Sequence, residues 1–168
     1  NLGVTFGPWD ARTNRAGDFY FACGFSKIFS EFGAQVRDPN WNIKELPTFD
    51  YVVRRDAVVF SISEGEVTRI VYQETSQDYD FSIRSLNDPA YVVVYDHLVT
   101  PRVKVGDHVQ AGDTLGNPKP WNTEIGSLEI MVNNSNTGQS YCPFCFFDEE
   151  KTNYYKKKVS KLMSDWET

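Results

Sequence analysis

Residues Val103–Gly116 read VKVGDHVQAGDTLG. Two Gly-Asp steps, Gly106-Asp107 and Gly112-Asp113, stand six residues apart, each after a short stretch of β-type residues. Glycine at such a step lets the backbone turn with positive φ, and the aspartate beside it accepts hydrogen bonds from nearby backbone amides. The stretch therefore predicts a pair of tight turns within a β fold. Taken alone it speaks of architecture and not of function.

The chain on either side carries the same punctuation. Ala57–Ile62 is a short apolar run with β-branched members, and Glu64-Gly65-Glu66 reads as a turn. Val67–Tyr72 alternates in part, Phe81–Arg84 alternates, and Tyr91–Tyr95 reads as a buried central strand. Several short strands with turn signals between them predict a mainly β sandwich or barrel. Asn1–Asp18 is rich in Gly, Asn and Arg and reads as an irregular lead-in. Phe19–Phe32 is dense in aromatics with small residues between, which suggests strands or close packing rather than an amphipathic helix. Only the C-terminus predicts a helix. Tyr155, Val159, Leu162, Met163 and Trp166 share one face of a 3.6-residue period, with Lys156, Lys157, Lys158 and Lys161 on the remaining surface. Such a stripe docks on the β core or, alternatively, on a partner. The expected division is an irregular segment over 1–27, a β domain over 28–150 and a helix over 151–168.

Composition bounds the rest. A chain of 168 residues supports one domain with a substantial core. Apolar residues at 40% and aromatics at 15%, with charges interspersed, argue against disorder. A formal net charge of −6 argues against a nucleic-acid partner. No apolar run is long enough to span a membrane. Asn1–Asp10 lack a basic start followed by an apolar stretch, so no signal peptide is legible, which leaves export open. Cys142 and Cys145 form a C-x-x-C, with Cys23 far away and no second pair to complete a structural zinc site. They read first as packed thiols, with a local disulfide as the alternative and a metal site third.

The Gly-Asp hairpin resembles one shared by lipoyl and biotinyl carriers, sugar-phosphotransferase enzyme IIA domains and lysostaphin-type endopeptidases. A carrier would need an exposed lysine in a Met-Lys or Asp-Lys pair, and none occurs here. Tyr95-Asp96-His97-Leu98 resembles the Tyr-x-His-Leu of the lysostaphin-type zinc peptidases, which cleave peptidoglycan. Phe32-Gly33, then Arg37-Asp38-Pro39 and Phe49-Asp50, is similar to the region of that family's His-x-Gly-x-Asp motif. Asp56–Ile70 resembles its strand pair around a Gly-x-Val turn. Gly126–Val132 (GSLEIMV) stands where the family carries its His-x-His segment. The likeness runs from about Ile28 to Phe147. It implies a barrel-sandwich or duplicated hybrid motif of antiparallel strands with an appended C-terminal helix.

The resemblance also implies a site, which this chain departs from. The family holds zinc with a first His, an Asp four residues later and the second His of His-x-His. Those positions fall here on Leu46, Asp50 and Glu129, and the glycine of the first motif becomes Thr48. The family's two assisting histidines fall on Ser127 and His97. Leucine offers no lone pair, and serine is no proton carrier at neutral pH. The chain holds only two histidines, His97 and His108, so the full set is absent. Structural roles compete for the same residues: Asp50 as a turn cap, His97 held by hydrogen bonds, Glu129 facing solvent.

The leading functional expectation is a non-catalytic peptidase-like module, used for binding or structure, with a glycan, peptide or protein partner. Trp41, Tyr51 and Trp121 are the candidate stacking residues, with ordinary core as the competing role. No cofactor is expected on this reading. A second expectation is a hydrolase with a rebuilt site of Asp50, His97 and Glu129, taking zinc or a harder divalent cation, with Glu124 the nearest further carboxylate in sequence. A third is a subunit of an extracellular assembly, including a homo-oligomer. The resemblance implies an extracellular or periplasmic setting, with minor support from the glycosylation signal Asn133-Asn134-Ser135.

Overall fold

The structure is a computed structural model, which describes residues 1–167 except 22, 23, 26 and 39. Cys23 therefore lies outside the described residues. Four short strands open the chain: β1 (Trp9–Asp10), β2 (Arg15–Ala16), β3 (Phe19–Tyr20) and β4 (Phe29–Ser30). A separate hairpin of β5 (Gln35–Arg37) and β6 (Ile43–Glu45) follows. The body is built from β7 (Phe49–Arg54), β8 (Val59–Phe60), β9 (Gly65–Gln73), β10 (Asp78–Ser85), β11 (Tyr91–Val99), β12 (His108–Val109), β13 (Thr114–Pro120) and β14 (Ile125–Asn134). A short β15 (Ser140–Tyr141), a 3-10 turn over Pro143–Phe146 and the helix α1 (Glu149–Glu167) complete the chain.

The described pairings are antiparallel, and the main path runs β1-β2-β3-β7-β14-β13-β11-β10-β9-β12; off it, β4 pairs with β7, β8 with β13 and β15 with β14, and β11 also pairs directly with β14. Period-two alternation decides which residues form the core. On β7, Phe49, Tyr51 and Val53 point inward; on β14, Leu128, Ile130 and Val132 do so. They meet Phe81 and Ile83 of β10 and Tyr95 and Leu98 of β11. The residues between them, Asp50 on β7 and Ser127 and Glu129 on β14, are left to the other face.

The Gly-Asp stretch behaves as its chemistry requires. Gly106 and Gly112 have φ of +91° and +101°. The Asp107 carboxylate accepts from the Lys104 amide at 2.9 Å, and Asp113 accepts from the Gln110 amide at 2.8 Å. The same reasoning misplaces Gly65, which lies in β9 and not in a turn. A Cβ there would stand 2.5 Å from Ile83 and 2.6 Å from the Arg84 carbonyl, so glycine serves close strand packing.

The lead-in is tied to the same core, since Leu2, Val4 and Phe19 are buried in it. Helix α1 begins at Glu149, capped by Asp148, whose carboxylate accepts from the Lys151 amide at 2.8 Å. Leu162 is buried, and Tyr155, Val159, Met163 and Trp166 pack against the core. No described helix is long and apolar enough to cross a membrane.

Candidate functional site

Register assembles the site. Glu129 on β14 stands directly opposite Asp50 on β7 and, on its other side, opposite Asp96 on β11. Residues directly opposite across an antiparallel pair share a face, so three carboxyl groups form a row over three strands. Like charges so placed repel one another. Burial raises the carboxyl pKa of both Asp50 and Glu129, and for Glu129 the charges of Asp50 and Asp96 add to that. The His97 and Lys44 charges act in the opposite sense on both groups.

His97 is set against this row by an unusual backbone. Its φ of +64° is left-handed, a conformation that a non-glycine residue adopts at a cost. The Asp96 carboxylate accepts from the His97 amide at 2.8 Å. The ring then bridges two carboxyl groups, with Nδ1 2.8 Å from Asp78 Oδ2 and Nε2 3.8 Å from Glu129 Oε1. Asp78 is fully buried, accepts from the Ser76 hydroxyl at 2.5 Å and has Lys119 Nζ at 3.6 Å. Burial pushes the Asp78 carboxyl up, but the hydrogen bonds from Ser76 and His97 and the charges of His97 and Lys119 leave it below the usual range. An ionised carboxylate only accepts, so Nδ1 carries the hydrogen and Nε2 is turned toward Glu129.

Asp50, His97 and Glu129 thus lie together, and Ser127 lies beside them, buried between Val52 and Lys119 in the neighbouring row. Leu46, where the resemblance puts the first zinc imidazole, is 5% exposed. Its carbonyl accepts from the Gly33 amide at 2.8 Å, and its amide donates to the Ala34 carbonyl at 2.9 Å. Thr48 is buried and donates to the Ile130 carbonyl at 2.9 Å, fixing the entry to β7. Glu124 sits in the exposed turn before β14, five residues or roughly 16 Å of strand from Glu129, so it adds nothing to the site.

The three candidate stacking residues separate. Trp41 is 75% exposed near the tip of the β5–β6 hairpin, with the Arg37 guanidinium 5.7 Å from its ring centre. Trp121 is 53% exposed and stacks on Phe25 at 5.5 Å. Tyr51 is fully buried, and its hydroxyl donates to the Leu2 carbonyl at 3.0 Å. With no open ring face, Tyr51 is core and cannot stack on a ligand, which corrects the expectation for that residue.

Sequence reasoning missed Asp78, Asp96 and Lys119. Asp96 stood inside the quoted Tyr-Asp-His-Leu motif, and the alternation Asp78-Tyr79-Asp80-Phe81 was a signal that two carboxyls share one face of a strand. Asp78, Asp96 and His97 offer ligand atoms within 4.8 Å of one another, the geometry of a possible cation site. Their atoms are already engaged, however: Gln73 donates to Asp96 at 2.7 Å, and the Lys119 ammonium beside Asp78 opposes a second cation. The cluster is arranged as a hydrogen-bonded network.

No family model matches the sequence, and no curated protein matches it. Solved structures do match the fold. The catalytic domain of the antimicrobial peptidase lysostaphin from Staphylococcus simulans superposes with a TM-score of 0.56 at 20% identity, over 70% of this chain and 88% of that domain. LytU gives 0.55 at 23% identity, over 77% of this chain and 90% of LytU. The catalytic domain of the prophage-encoded M23 protein EnpA from Enterococcus faecalis gives 0.54 at 19% identity, over 76% and 98%. The fold is that of the lysostaphin-type peptidases. Against the solution structure of lysostaphin, the chain covers 49% of the other's length.

Proposed function

We propose that this chain is a non-catalytic module with a peptidase fold, which holds a partner against the carboxylate row of Asp50, Glu129 and Asp96. One observation supports this above the others: Leu46, the residue to which the resemblance assigns the first zinc imidazole, is apolar and buried. By the same resemblance, Ser127 and Glu129 take the positions of the His-x-His imidazoles. The residues present do not fit the family's zinc, because the described site offers a single imidazole whose Nδ1 already donates to Asp78. A carboxylate-rich floor without that ion would oppose a developing oxyanion. The same floor suits a peptide, glycan or protein partner that brings positive or donor groups, with exposed Trp41 and Trp121 as stacking surfaces. An extracellular or periplasmic setting goes with this reading.

The test is incubation with peptidoglycan and with oligoglycine peptides. The expected result is co-sedimentation or saturable binding with no new amino termini. Turnover that is abolished both by a chelator and by Asp50→Ala would overturn it.

One observation favours a second reading, a hydrolase rebuilt on Asp50, His97 and Glu129. The Asp78–His97 hydrogen bond orients Nε2 toward Glu129, as an outer carboxylate orients a metal-binding histidine. Two carboxylates beside one imidazole suit a harder cation better than zinc. On that reading turnover depends on added Ca²⁺ or Mg²⁺ and falls with Glu129→Gln.

A further inference from the structure

Cys142 and Cys145 lie outside the carboxylate row and are free of any disulfide. Cys142 caps the 3-10 turn of Pro143–Phe146, and the Cys145 amide donates to the Cys142 carbonyl at 2.9 Å. That hydrogen bond closes a four-residue turn, which holds the two Cα atoms within about 7 Å, near the span a disulfide bridges. Pro143 at the first position of the turn fixes φ and so removes freedom that closure would otherwise cost.

The two thiols differ in access. Cys145 is exposed, whereas Cys142 is half-buried and packs against the core. Burial raises the Cys142 pKa, Cys145 adds to that, and Lys156 acts against it. The Lys156 ammonium stands 5.8 Å from the centre of the ring of Phe144, one of the two residues between the cysteines. Its charge offsets the effect of burial only in part, so the Cys142 thiol stays harder to ionise than usual, which suits the second of two steps rather than the first. The same turn walls a cavity of about 390 Å³ through Pro143 and Phe146, opposite Tyr91 and Val132.

We infer that Cys142 and Cys145 are a reversible thiol–disulfide pair, with Cys145 the entry thiol and Cys142 the resolving one. The co-reactant is a low-molecular-weight or protein disulfide. The Cys145 thiolate attacks one sulfur of that disulfide and expels the other as a thiolate, leaving a mixed disulfide on Cys145. The Cys142 thiolate then attacks the Cys145 sulfur and expels the second co-reactant thiolate. Two cysteine thiols are oxidised, one external disulfide is reduced to two thiols, and the two protons lost by the cysteines go to the leaving thiolates.

The full chain is incubated with oxidised glutathione, quenched with an alkylating agent and mapped by peptide mass. The expected product is a Cys142–Cys145 linkage that reduced glutathione reverses. Cys142→Ser should trap a glutathione adduct on Cys145, at least about tenfold more than Cys145→Ser accumulates on Cys142. Free alkylation of both cysteines after oxidation would overturn the inference, as would a linkage of either one to Cys23. Equal adduct yields in the two single variants would overturn the assigned roles.

Discussion

Asp78 and Glu129 face one imidazole from opposite sides, and their carboxyl groups are shifted in opposite directions. The Asp78 pKa is lowered in the fold, so its contribution to stability is present above the ordinary carboxyl range and lost as pH falls through the folded value. Asp78→Asn should destabilise the protein by about 1–3 kcal/mol near neutral pH, with a penalty that shrinks in acid. The Glu129 pKa is raised, first by burial and then by Asp50. Its relative stabilisation is present below the ordinary carboxyl range and lost as pH rises through the folded value. Glu129→Gln should therefore raise the melting temperature at about pH 7 and change it little at about pH 3. Melting curves of both variants across that range check the pair. A Glu129→Gln chain that melts lower at neutral pH would show that the carboxylate is held by an attractive partner. At this scale Asp50, His97 and Glu129 were legible through the resemblance. Asp78 and Lys119 were not, because strand register brings them to His97 from distant parts of the sequence.

Elements were legible where local chemistry alone decides them. The turns at Gly106 and Gly112 need positive φ and an accepting aspartate, and both requirements are written within a few residues. The apolar stripe of α1 was legible for the same reason, although Asp148 starts the helix two residues earlier than its periodicity suggested. Gly65 was misread because its reason is a neighbouring strand, invisible locally. Two predictions follow at this scale. Leu162→Ala empties a buried position under α1 and should cost about 2–5 kcal/mol in denaturant unfolding. Gly65→Ala drives a methyl group into the Ile83 side chain and the Arg84 carbonyl, and should cost about 1–3 kcal/mol despite adding only one carbon. An unchanged unfolding midpoint in either variant would mean that the packing described for that element is absent in solution.

At the scale of the whole molecule, a lysostaphin-type fold carries a row of three carboxyl groups across β7, β14 and β11. The fold was legible because turn chemistry, alternation and the Tyr-Asp-His-Leu segment agree with one another. That row was less legible, since it exists only once Asp96, Glu129 and Asp50 fall into register. The most direct measurement is zinc per chain by elemental analysis after dialysis, made on the natural chain and on the Leu46→His, Ser127→His, Glu129→His variant. A site that lacks the first imidazole predicts far less than one zinc for the natural chain and about one for the variant, where two imidazoles and Asp50 complete a tetrahedral site with water. About one zinc in the natural chain, lost on Asp50→Ala, would contradict it.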